Sequence, residues 1–135
     1  MFETQDLLAM STRAIAAMRT DQLAALDSAQ IGALSSTQVA SLSTRQVAGL
    51  GSDDLNALTS GQIAALGSAQ IASIATAQIA SLVSDDVISL GSAGIRAFTS
   101  AQLGALSTAN LQALSSAQAA ALTSSQVVGL TTTQM

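Results

Sequence analysis

An eight-residue period runs through all 135 residues without insertion or deletion. Repeats of this length announce a stacked array, in which no unit can bury its apolar side chains alone. With Leu26, Leu34 and Leu42 set at position eight, that position runs Phe2, Met10, Met18 and on to Leu130, and is large and apolar throughout. Position five runs from Leu7, Ile15 and Leu23 to Val127 and Met135, and is apolar at every copy. Position two is always Ser or Thr, as in Thr4, Ser28, Ser92 and Thr132. Position four is Gln except at Asp6, Ala14, Asp54, Asp86, Gly94 and Asn110. From Ala9 onward position seven is only Ala, Ser or Gly. Nothing interrupts the pattern, so residues 1–135 read as a single octapeptide-repeat solenoid domain.

A continuous helix does not fit this period. Eight residues advance about 800°, so the apolar stripe would drift by about 80° per repeat. A continuous strand would send positions five and eight to opposite faces. Their spacing of three is helical, so the backbone must break once per octad. The expectation is an all-α solenoid of very short helices, about six residues each, one per octad; a β-solenoid is the alternative. Ala, Gln and Leu favour the helical form.

Two registers suit the break. In the first, position two is the N-cap, since it is always Ser or Thr. The acids of Ser52-Asp53-Asp54 and Ser84-Asp85-Asp86 then lie in the first turn, and Gly51, Gly67 and Gly91 just past a helix end. In the second, position one is the cap and the Gln of position four closes a capping box, as in Ser115-Ser116-Ala117-Gln118. The first is preferred for its invariance. Such helices are unstable alone, so stacking must hold them, with positions five and eight inward and the small position seven allowing close approach. The recurrent Gln is either a side-chain ladder between coils or an exposed, helix-tolerant residue. Arg13 and Arg45, and Asp21, Asp53 and Asp85, are spaced by 32, which fits four octads per coil, or two. Three, a triangular prism, stays open.

The chain has no Cys, His, Lys, Trp, Tyr or Pro, and only 9% of it is charged. That removes His- and Cys-based metal sites and any Ser–His or Cys–His nucleophile. No catalytic, cofactor-binding or metal-binding residue is assigned, and no enzyme is expected. Asp53/Asp54 and Asp85/Asp86 are the only paired carboxylates. Stacked, they would offer weak calcium ligands; otherwise they are helix-start acids. Arg13, Arg19, Arg45 and Arg96 are scattered and cannot coat a phosphate backbone, so no nucleic acid partner is expected. Residues 97–135 carry no charge and are either a contact face, a self-association end or simply a tolerant stretch. No apolar run approaches the roughly 18–20 residues of a membrane span. The start, Met1-Phe2-Glu3-Thr4-Gln5-Asp6, lacks the basic region of a secretory signal.

Two segments, Leu58-Thr59-Ser60-Gly61-Gln62-Ile63-Ala64-Ala65-Leu66 and Phe98-Thr99-Ser100-Ala101-Gln102-Leu103-Gly104-Ala105-Leu106, carry a resemblance. They resemble the L-T/S-x-x-Q-I/V-x-A-L octapeptide tracts of large bacterial secreted, surface-attached or RTX-like proteins. The resemblance implies a structural or adhesive segment at the cell surface or outside the cell, and brings over no catalytic residue. The RTX calcium nonapeptide is absent. Leu122-Thr123-Ser124-Ser125-Gln126-Val127-Val128-Gly129-Leu130 is similar to the opening helix of TAL-effector repeats. The second helix, the base-reading loop and the positive charge of those repeats are missing.

The expected function is a non-enzymatic structural repeat module: a spacer, a stalk or a self-assembling or adhesive segment, with the chain itself as partner. A protein- or glycan-binding module is the alternative, although hot-spot residues such as Trp, Tyr and clustered Arg are lacking. An ice-binding surface built on the Ser/Thr row of position two is a further one.

Overall fold

The computed structural model describes residues 3–132 and Gln134. Phe2 and Met135, expected at apolar positions, lie outside the described residues. Among the described residues there are helices and no strand. The first eight are α1 (Thr4–Ala9), α2 (Thr12–Ala17), α3 (Thr20–Ala24), α4 (Ser28–Ala33), α5 (Ser36–Ala40), α6 (Thr44–Ala48), α7 (Ser52–Ala57) and α8 (Ser60–Ala64). The rest are α9 (Ser68–Ala72), α10 (Thr76–Ser81), α11 (Ser84–Ser89), α12 (Gly91–Ala97), α13 (Ser100–Ala105), α14 (Thr108–Gln112), α15 (Ser116–Ala120) and α16 (Ser124–Val128). The fold is therefore an all-α solenoid of short helices, one per octad.

Most breaks are two-residue extended corners. Leu34 at position eight has φ −60°, ψ 143°, and Ser35 at position one has φ −70°, ψ 157°. The helix before the corner closes tightly, the N–H of position eight donating to the carbonyl of position five (Leu34 to Ile31, 3.2 Å). The cap is position one, which corrects the preferred register: Ser35, Ser43, Thr59, Thr99, Ser115 and Thr123 each accept from the N–H of position four. Position two is the first helical residue of every helix but α12, which starts at Gly91. Capping therefore does not explain why position two is always a hydroxyl residue.

Helix α1 packs on α4, α4 on α7, α7 on α10, α10 on α13 and α13 on α16, and the other two series follow the same rule. Three octads complete one coil, so the coil is a triangular prism with a 24-residue pitch (three times eight). Of the two, three or four octads per coil left open by the sequence, three is the number built. The 32-residue echoes carry Arg13 to Arg45 onto the neighbouring side of the prism; they are likenesses of sequence and not the coil period.

The interior is filled by two apolar side chains per side. Position five from Leu7 to Leu103 is at most 2% exposed, and position eight from Leu26 to Leu106 at most 9%. At about 25 cal/mol per Å², this continuous column is the main stabilising term. It thins at both ends: Met10, Met18, Leu114, Leu122 and Leu130 are only partly buried, and Val127 is 43% exposed. Small side chains at position seven allow close stacking, as expected. A Cβ on Gly129 would lie 2.7 Å from the Cβ of Ser100 in the coil below.

One corner differs. Leu90 is helical, with φ −62°, ψ −25°, and Gly91 follows with φ +65°. Among the described residues Gly91 alone has positive φ. That conformation favours a residue without a Cβ.

Candidate functional site at the octad corners

The polar chemistry of this chain converges on the corners, and the residue that organises it is the Gln of position four. Gln38, Gln46, Gln62, Gln70, Gln102, Gln118 and Gln126 are all buried. In Gln102, Oε1 accepts from the N–H of Thr99 at 2.9 Å, satisfying the backbone of its own corner. Its Nε2 donates to the carbonyls of Ile71 at 2.8 Å and Ile74 at 2.7 Å, one coil below. The Ile71 carbonyl also accepts from the Ile74 N–H within its own coil, so the amide fills its second lone pair. The Ile74 carbonyl sits in the extended corner, past the last helical bond, and depends on the amide. One amide thus ties three backbone groups across two coils.

The same arrangement recurs along the array. Gln38 reaches Leu7 and Met10, Gln46 reaches Ile15 and Met18, and Gln70 reaches Val39 and Leu42. The Gln is neither a ladder of side chains nor an exposed filler. It is a clasp between a side chain and the backbone. An ionised Glu could not replace it, because its second oxygen would face two carbonyls instead of donating to them. The clasp at Gln78 is weaker: Nε2 reaches only Leu50 at 3.1 Å, and buried Oε1 has no partner.

The clasps also have a direction. In each, the Gln amide donates toward the amino end of the solenoid and the backbone carbonyls accept from the carboxyl side. Next to the first coil lies a cavity of ≈ 600 Å³ lined by Met10, Met18, Gln22, Ala25, Leu26, Asp27 and Gln30.

The acidic pairs do not form one site. Asp53 and Asp54 lie on α7, Asp85 and Asp86 on α11, and these helices stand on different sides of the prism. The stacked calcium ladder is not built. Asp53 and Asp85 are exposed and Asp54 is half-buried. Asp86 is buried, which pushes its carboxyl above the usual carboxylate range; neighbouring Asp85 adds to this, and a hydrogen bond from Val83 opposes it. Arg13, Arg45 and Arg96 are exposed and dispersed. Arg19 pairs with Asp21 at 3.1 Å on the surface, and its guanidinium hydrogen bond lowers the Asp21 carboxyl. An ion pair this exposed stabilises little.

Position two presents its hydroxyls along the outside of the prism, and most are exposed. Two are engaged: Ser84 donates to Asn110 and Ser100 to the carbonyl of Ser125. The uncharged stretch 97–135 supplies, as far as it is described, helices α13 to α16, which continue the same solenoid.

The function of the Gln was hidden in the sequence because its carbonyl partners lie 28 and 31 residues away, and any residue can supply a carbonyl. The usable signal was the spacing Ser/Thr-x-x-Gln from position one to position four, which marks a capping box.

The ALTTAQ repeat family matches this chain at residues 1–36, 24–52, 31–60, 47–84, 79–115 and 103–132. No curated protein and no solved structure matches it. A hexad of that form, Ala121-Leu122-Thr123-Ser124-Ser125-Gln126, runs from position seven to position four. It therefore spans one corner: the small residue, the apolar residue, the cap, two helix-starting residues and the clasp.

Proposed function

This chain belongs to the ALTTAQ repeat family, and we propose that it is a non-enzymatic structural module, a stiff spacer or stalk that extends by stacking end on end. One observation carries this reading: the buried position-four amides of the array are spent on holding one coil to the next. Little polar chemistry remains for a substrate. The polarity of the clasps supports head-to-tail growth, an open heterologous association. At one end lie the Gln22 side chain and an apolar hollow bordered by Met10, Met18 and Leu26. At the other, Leu114, Leu122 and Leu130 are partly exposed. Further octads of a longer chain and a second copy would meet the same surface. A place at the cell surface or outside the cell suits such a stalk, and the octapeptide tracts of bacterial surface proteins are the motive for it.

Light scattering over a concentration series tests the association, with electron microscopy to image any filaments. Rods that lengthen with concentration are expected. A chain that stays monomeric at high concentration discards head-to-tail growth and leaves the spacer. Among the described residues no helix is long and apolar enough to cross a membrane.

A second reading rests on the hydroxyls of position two. Because the caps are at position one, these hydroxyls are mostly uncommitted and stand in regular rows, which is what an ice-binding face requires. Absence of thermal hysteresis would remove it.

A further inference from the structure

Asp86 stands where most octads have the clasp. It is 6% exposed, and its Oδ2 is buried without a hydrogen-bond partner. The Val83 backbone favours its charged form and opposes the effect of burial. At this repeat position the Gln Nε2 of other octads reaches the position-eight carbonyl 28 residues back.

Asn110 shows that a side chain of this length reaches that carbonyl. It occupies position four in the next coil of the same side, and its Nδ2 donates to Leu82 at 2.8 Å. Counting back 28 residues from Asp86 gives Leu58. Leu58 has φ −64°, ψ 138°, against −61°, 143° for Leu82, so the two carbonyls are presented alike. A carboxylate oxygen facing a carbonyl oxygen needs a positive centre between them. Calcium takes six to eight oxygens, and a single buried carboxylate beside a corner's carbonyls falls short of that. A proton needs only these two oxygens.

We propose that Asp86 is a proton site: as the neutral acid its O–H donates to the Leu58 carbonyl and completes the clasp, and on ionisation that joint between coils loosens. The proton stays on Oδ2 and is shared in a hydrogen bond; no other bond is made or broken. The array thus contains one acid-tightened joint.

The surroundings are consistent with this. Of the helices packed on α11, α8 and α14 carry no charged residue, and α12 carries only Arg96, which is exposed. Asp85, on α11 itself, and Asp53, on α7 beside the corner, are exposed; Asp54 on α7 is half-buried. Burial raises the folded-state pKa of Asp86. The folded chain therefore holds a proton that the unfolded chain releases. The stabilisation is present below the unfolded pKa and is lost as pH rises through the folded value.

Asp86→Asn and Asp86→Gln test the site, since each supplies a donor at every pH. Thermal unfolding is followed from about pH 4 to about pH 8. Both variants are expected to melt a few degrees above the parent at the alkaline end, and the gap should close toward the acid end. Asp54→Asn, at the half-buried counterpart, should show no such closing gap. Carboxyl carbon NMR of the parent should place the Asp86 midpoint above the usual carboxylate range. A gap independent of pH, or variants melting below the parent at the alkaline end, would overturn the proposal. So would calcium chloride raising the parent's midpoint at the alkaline end and not that of Asp86→Asn, since the site would then hold a cation.

Discussion

The corner at Ile74-Ala75 is regular, and the corner at Leu90-Gly91, two octads further along the same array, is not. At the first, Ile74 keeps its carbonyl for the amide of Gln102, and Ala75 is extended, with φ −67°, ψ 150°. At the second, Leu90 turns helical and Gly91 goes left-handed. Both position-eight side chains are buried, so the apolar column does not set the corner's shape. Octad 91–98 has no capping side chain at position one and, with Gly94, none at position four. Every other octad from residue 3 onward has a polar side chain at one or both of these places. With neither a side-chain acceptor for the N–H of Gly91 nor a cap for that of Gly94, the chain leaves the extended corner. It carries the helix on instead, Gly94 donating to the Leu90 carbonyl at 3.2 Å. Gln118 then grips Val87 and Ile88, where other clasps take positions five and eight. Apolar positions decide that coils form, and polar corners decide how they turn.

Removing a full clasp should break this contrast most severely. Gln102→Leu leaves the part-buried Thr99 N–H and the buried Ile74 carbonyl without partners and strips the Ile71 carbonyl of its second bond. At about 1–3 kcal/mol for each unsatisfied group, a loss of roughly 3 kcal/mol or more is expected in denaturant unfolding. The same change at Gln78, which makes one clasp bond at 3.1 Å, should cost about 1 kcal/mol. Equal losses at the two positions would show that the amide acts by volume alone.

The irregular corner gives a middle-sized effect. A Cβ on Gly94 would lie 2.7 Å from the Leu90 Cβ, so Gly94→Ala should destabilise by about 1–3 kcal/mol in the same assay. Gly91→Ser with Gly94→Gln restores both the cap and the clasp. If missing polar groups cause the bend, the double variant should be more stable than Gly94→Ala, because the corner can return to the extended form and relieve the contact. A double variant worse than the single one would mean that the bend is fixed by packing.

How much of this was legible follows from the range of each interaction. The short helices were readable because the five/eight spacing and the cap chemistry act within one octad. Position one as the cap was readable only as the less favoured register, since the constancy of Ser and Thr at position two outweighed the capping box ending at Gln118. That constancy has a different setting: Thr20 and Ser100 lie beneath the position-seven residues Gly49 and Gly129 of the next coil. Three octads per coil was not readable, because stacking depends on the angle of each corner, and the likeness of Arg13 to Arg45 pointed to another period. The buried acid was visible only as half of a pair. Asp85 and Asp86 look alike in sequence, and their separation into surface and interior comes from which lies at position four.

The finest test separates the two hydroxyl positions flanking a helix start. Ser35 accepts from the N–H of Gln38 at 3.1 Å, whereas Ser36, one residue on, is exposed in the first turn of α5. Ser35→Ala should cost about 1 kcal/mol and Ser36→Ala only a few tenths. Both remove one hydroxyl from neighbouring residues, so the difference measures capping and little else. Comparing the pair in octad 115–122, where Ser115 caps and Ser116 does not, should give the same order with smaller values, since that coil packs less of its apolar surface. Reversal of the order in both octads would restore position two as the cap and, with it, a different placement of the Gln.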